Sequence, residues 1–139
     1  MNDLEKAKQL LNSGSYTCVL CRGDRVYTSS LRGVKPLVEF YRSNTDFNGF
    51  SAADKVVGRA TAFLYILLGV KAVFARVISR SALEVFAENG VAAVYDTLTP
   101  NIINRRGDGI CPFEQAVLCT KNPNEAFEII CNKIIELNI

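Results

Sequence analysis

The stretch Ser51-Ala-Ala-Asp-Lys-Val-Val-Gly-Arg-Ala-Thr-Ala-Phe-Leu-Tyr-Ile-Leu-Leu68 decides how this chain folds. Val56, Val57, Ala60, Phe63, Leu64, Ile66, Leu67 and Leu68 surround a helical wheel almost completely, and a helix that is apolar on all sides is a buried one. The residues therefore predict one central helix over 51–68, ended by Gly69. Downstream, Val73 to Ile78 reads as a strand. Ser79 to Asn89 reads as a helix closed by Gly90, and Val91 to Tyr95 as another strand.

Upstream, Asp3 to Asn12 carries Leu4, Ala7, Leu10 and Leu11 at helical spacing and stops at Gly14. Tyr16 to Cys21 and Val26 to Thr28 flank Arg-Gly-Asp-Arg, which predicts a hairpin with Gly23 at the positive-φ position of the turn. Leu31 to Arg42 reads as a helix with Val34, Leu37, Val38 and Tyr41 on one face. Cys111 to Leu118 begins a short helix, and Asn124 to Leu137 an amphipathic one. A hairpin followed by strand-helix-strand implies a mixed sheet with helices on both faces. No repeat or linker divides residues 1–139, so one domain is expected.

Of the 139 residues 49% are hydrophobic, a share that a packed core requires, and none is histidine. Without imidazole there is no Ser-His-Asp or Cys-His catalysis, no zinc site of the usual kind and no histidine pH switch. Sixteen basic against fourteen acidic residues leave a net charge of +2, too even for a dedicated nucleic-acid binder. The N-terminus is charged and amphipathic rather than signal-like. The most apolar run, Ala60 to Val70, is about half the ~20 residues that cross a bilayer. Cys18, Cys21, Cys111, Cys119 and Cys131 are odd in number and irregularly spaced, which fits reduced thiols and a cytoplasmic location without membrane contact.

Three groups could carry chemistry. At the head of the 51–68 helix, Lys55 and Arg59 lie four apart and would share a face, with Asp54 in the first turn. Gly58 in mid-helix costs about 1 kcal/mol against Ala, so a neighbour or a ligand must approach there. Helix amides beside two cations suit an anion such as phosphate, while Asp54 as a cap with solvated cations is the structural reading. The second group is Asn101-Ile-Ile-Asn-Arg-Arg-Gly-Asp-Gly-Ile-Cys-Pro-Phe-Glu114. Here Cys111 caps a helix that starts at Pro112, so it is either a nucleophile or an inert thiol; Asn104 and Arg105 could hold a polar ligand, and Asp54 or Glu114 could move protons. Ser79 and Ser81 head the next helix as caps or as pocket hydroxyls. Cys18-x-x-Cys21 is on a strand, where positions three apart face opposite ways and cannot easily chelate one ion.

Taken together, Ala53-Asp-Lys-Val-Val-Gly-Arg-Ala-Thr-Ala62, Val77-Ile-Ser-Arg-Ser-Ala82, Ile103-Asn-Arg105 and Cys111-Pro-Phe-Glu114 resemble a bacterial and archaeal family of unknown function placed by fold in the cytidine-deaminase-like superfamily. The resemblance runs from about Leu4 to the last helix. It implies a three-layer α/β/α domain with a mixed sheet and a buried central helix. Deaminases of that superfamily hold zinc through His (or Cys)-x-Glu at the first core helix and Pro-Cys-x-x-Cys at the next. Here those places carry Asp54-Lys55 to Arg59 and Ser79-Arg80-Ser81, without His, Cys or Glu, so zinc-dependent deamination is excluded. No metal or cofactor is expected. The resemblance leaves two functions open. One is a zinc-free pocket for a nucleotide-like or other phosphorylated small molecule, lined by Lys55, Arg59, Ser79, Ser81, Asn104 and Arg105, with Asp54, Cys111 and Glu114 as catalytic groups if a reaction occurs. The other is a non-catalytic regulatory or homo-oligomeric module.

Overall fold

The computed structural model describes residues 1–139 as an α/β fold, a five-stranded mixed sheet with six helices. Helix α1 (Asp3–Ser13) opens with a capping box, in which Asn2 accepts from the Glu5 amide and Glu5 reaches back. Ala7 and Leu11 bury its inner face. Strands β1 (Cys18–Arg22) and β2 (Arg25–Ser29) form the expected hairpin, turning at Gly23 with φ +59°. Helix α2 spans Lys35–Arg42. It begins later than the predicted Leu31, because Pro36 in its first turn suits a helix start. Tyr41, expected on the buried face, is exposed and lies edge-on to Phe127 at 4.8 Å.

The 51–68 region is not one helix. Residues Ser51–Val57 are strand β3, and helix α3 runs only over Arg59–Leu68. Ala52 and Ala53 pack into two separate cores on opposite faces of the sheet. A strand covered on both faces loses the polar alternation that marks strands, and a short apolar run of that kind reads like a helix. Asp54 and Lys55 therefore lie on a strand, not in a helical first turn, and Lys55 shares no helix face with Arg59. Gly58 is the extended residue capping α3, so no mid-helix penalty arises.

Strands β4 (Ala72–Ser79) and β5 (Ala92–Thr99) follow, with helix α4 (Arg80–Glu88) between them. The sheet order is β2-β1-β3-β4-β5; β3, β4 and β5 are mutually parallel, and β1 is antiparallel to both neighbours. Helix α1 packs on β1, β3 and β4 from one side. On the other side α3 and α4 pack together, and the larger core contains Phe63, Leu64, Tyr65, Ile78, Val85 and Phe86. Helix α3 is buried along most of its length, as a helix apolar all round must be. Helices α2, α5 (Pro112–Ala116) and α6 (Pro123–Leu137) pack on α3. Helix α5 stops short of the predicted Leu118, which is exposed. Cys18 and Cys21 belong to different cores, as strand alternation requires, and all five thiols are free. No helix is long and apolar enough to cross a membrane.

Candidate functional site

Parallel strands β3 and β4 end side by side, and each feeds directly into a helix, so the N-termini of α3 and α4 lie next to one another at the carboxyl edge of the sheet. Ligands of open α/β sheets gather at such an edge. Gly58 caps α3 without a side chain, which leaves its first amides to an outside partner. That partner is Glu114. Its carboxylate accepts from the Arg59 amide at 2.6 Å and from the Ala60 amide at 2.9 Å. The seat expected to hold a ligand anion thus holds the chain's own carboxylate. Burial raises the Glu114 pKa, while the two amides and the Arg59 charge act against that rise.

Gly58 is required by this contact. A Cβ there would lie 2.5 Å from Glu114 Cδ and 2.7 Å from Oε2, closer than atoms pack. Gly58→Ala should push the carboxylate off both amides and cost about 2–3 kcal/mol, the penalty for leaving buried donors unpaired. Chemical denaturation checks this in a cycle with Glu114→Ala: once the carboxylate is gone, Gly58→Ala should cost under about 1 kcal/mol. Equal costs in both backgrounds would show that the two residues are uncoupled.

Arg59 is buried as well, and its guanidinium points back toward α5. Nε donates to the Val117 carbonyl at 3.0 Å, Nη2 to the Thr120 carbonyl at 2.5 Å and Nη1 to Ser81 Oγ at 3.0 Å, and the group stacks 5.0 Å from the Phe63 ring. A cavity of about 50 Å³ remains between Arg59, Ser79, Ser81, Glu114, Gln115 and Asn101. That is room for a water molecule or two, far below the roughly 300 Å³ at which small-molecule pockets begin.

Of the remaining expected site residues, Ser79 stays beside this cavity and the others are dispersed. Ser79 caps α4, accepting from the Ala82 amide at 3.1 Å. Lys55 is half-buried on β3, makes no side-chain hydrogen bond or ion pair, and does not line the cavity. Asn104 is engaged within its own loop, accepting from the Gly107 and Asp108 amides and donating to Asp108 at 2.9 Å. Arg105 is exposed. Cys111 is the cap of α5 as expected, half-buried, and its backbone amide donates to the Ile102 carbonyl.

Asp54 belongs to a different place, between the sheet and α3. Its Oδ2 accepts from the Tyr65 hydroxyl at 2.6 Å, its Oδ1 from the Val56 amide at 3.3 Å, and Cys18 stands opposite on β1. Burial lifts its pKa to about 7, partly offset by those hydrogen bonds. The same burial, with Asp54 beside it, raises Tyr65, and burial raises Cys18. No three Cys, Asp or Glu side chains converge as metal ligands would.

Sequence reasoning missed Tyr65 and Gln115, and Asn101 entered only as the first residue of the 101–114 stretch. Tyr65 lies inside the apolar 51–68 stretch, and nothing local marks its hydroxyl as the partner of Asp54. The only signal for Gln115 and Asn101 was their proximity in sequence to Glu114 and to the end of β5.

The pattern of the family described as TM1506, domain of unknown function (DUF1893), matches residues 6–134. Among solved structures, a DUF1893 family protein (TM1506) from Thermotoga maritima is similar with a TM-score of 0.87 and 29% identity, over 94% of this chain and 89% of that one. No curated protein matches significantly. With sheet, helices and nearly the whole length accounted for, the chain belongs to the DUF1893 family.

Proposed function

We propose that this chain is a zinc-free, cytidine-deaminase-like domain of three α/β/α layers that acts in the cytoplasm as a non-catalytic regulatory or interaction module. One observation carries the reading: the Glu114 carboxylate sits on the α3 amides, where a bound anion would have to sit. Supporting it, Arg59 is engaged by two backbone carbonyls and a serine, and Lys55 lies on another element. Both candidate carboxylates are engaged within the chain, Asp54 with the Tyr65 hydroxyl and Glu114 with the α3 amides, which argues against either serving Cys111 as a base.

Thermal unfolding against phosphate, nucleoside monophosphates and nucleoside triphosphates tests the reading. A ligand present at a hundred times its Kd stabilises by about 2.7 kcal/mol and lifts Tm by several degrees. No lift is expected from any of them, and Cys111 should react with thiol probes no faster than Cys131. A lift of several degrees would end the proposal. It would favour a second reading, supported by the polar lining of Ser79, Ser81, Asn101 and Gln115. In that reading a nucleotide-like molecule displaces Glu114 and enters the enlarged cavity, and Ser81→Ala abolishes the lift.

A further inference from the structure

The two edges of the sheet differ. At one edge β2 is five residues long and begins with Arg25, the kind of charged residue that protects an edge from pairing. At the other, β5 (Ala-Ala-Val-Tyr-Asp-Thr-Leu-Thr, residues 92–99) has eight residues without Lys, Arg or Pro. Val94 is 50% exposed, Tyr95 40% and Leu98 39%. The Ala92 amide donates inward to Lys71, so by strand alternation Ala93, Tyr95 and Thr97 direct their N–H and C=O groups outward. Those outward groups have no partner within the chain. A long edge of this kind, largely apolar and with free backbone groups, is a template for adding a strand.

We propose that the added strand is β5 of a second copy, paired antiparallel about a two-fold axis at Tyr95. This deepens the module reading, on which it rests, by naming the partner. The strand's own side chains select both partner and register. Opposed residues must lie on the same face, so the two-fold axis passes through a residue pair. Centred on Asp96, the pairing sets two carboxylates directly against each other, which is unfavourable. Centred on Tyr95, it runs from Ala92 to Leu98. Small residues then meet larger ones, Ala92 against Leu98 and Ala93 against Thr97. Asp96 meets Val94. The central pair is Tyr95 with Tyr95, an aromatic cross-strand contact between residues whose outward backbone groups bond to each other. The result is one ten-stranded sheet across two chains, and the end of β5 leads straight into Asn101 at the cavity mouth.

Light scattering on purified full-length protein gives the first readout, with twice the monomer mass expected. Tyr95→Lys, which sets two ammonium groups face to face, should return the monomer while the thermal transition stays cooperative. The register has its own test in a Cys119→Ser background, which removes the exposed native thiol. Hydrogen-bonded antiparallel pairs sit about 5.5 Å apart at Cα, within disulfide reach. Tyr95→Cys should therefore cross-link quantitatively under mild oxidation, and Asp96→Cys should lag at least tenfold. A wild-type monomer up to about 100 µM, a hundredfold above a 1 µM Kd, would overturn the pairing. So would a dimer that Tyr95→Lys leaves intact, or faster cross-linking at position 96. A monomer would leave the phosphate and nucleotide result untouched, and a ligand-induced lift in Tm would leave the dimer untouched, so the two ideas fail separately.

Discussion

Arg59→Ala should lower the unfolding free energy by about 4 kcal/mol. The guanidinium donates to the Val117 and Thr120 carbonyls and to Ser81 Oγ from a site that is only 8% exposed. Hydrogen bonds to a charged donor contribute roughly 1.5–3 kcal/mol each, less when several act together. Truncation leaves two carbonyls unpaired, opens space against Phe63, and removes the cation that counters the burial of Glu114. Breaking a buried polar network in this way costs on the order of 3–5 kcal/mol. Arg59→Lys should recover less than half, because an ammonium is a point donor and cannot serve two carbonyls and a hydroxyl in the fixed geometry of a guanidinium fork. Urea denaturation at constant m-value reads the loss directly. A loss under about 1 kcal/mol for Arg59→Ala would mean that the guanidinium does not tie α5 to α3.

The same residue shows what could and could not be read from the chain. Local patterns are legible in most elements that have one face in water, Tyr41 of α2 being an exception. Ala7 and Leu11 repeat every turn along α1, and Gly23 marks the hairpin turn. Ser79 caps α4 because a hydroxyl in that place pairs with a free amide. Strand β3 was illegible because both its faces are covered, so Ala52, Ala53 and Val57 carry no period that separates strand from helix. Gly58 signalled a close approach correctly, yet the approaching group lies 55 residues away along the chain. Nothing local says whether a ligand or Glu114 fills that place. Charge was misleading for the same reason. Lys55 and Arg59 look like an anion site when spaced along one helix. They separate once a strand ends between them, one cation remaining on β3 and the other turned back into carbonyl oxygens.

Stability should fall as pH rises from about 4 to about 7, and Asp54→Asn should abolish most of that slope. Asp54 is buried against Tyr65, and its pKa stands at about 7 in the folded chain against 3.8 when exposed. Below pH 3.8 the carboxyl is protonated in both states and the folded chain pays nothing for it. Between the two values the unfolded chain releases the proton and the folded chain keeps it, so the native state binds more protons and unfolding becomes easier with each step upward. Above about 7 both are ionised and the loss is complete. At 1.36 kcal/mol per pKa unit the whole excursion is on the order of 4 kcal/mol. Glu114, also raised by burial, contributes with the same sign. Asparagine keeps the shape and can accept the Tyr65 hydroxyl, but it has no charge to bury. Urea midpoints of the wild type and Asp54→Asn, compared at pH 5 and pH 8, isolate the effect, since every other titrating group is common to both. The variant should gain on the wild type by about 2.7 kcal/mol over that interval, the share of the excursion that lies between pH 5 and the folded pKa. Parallel profiles would show that Asp54 is ionised in the folded chain throughout, its charge held by the Tyr65 hydroxyl and the Val56 amide despite the surrounding core.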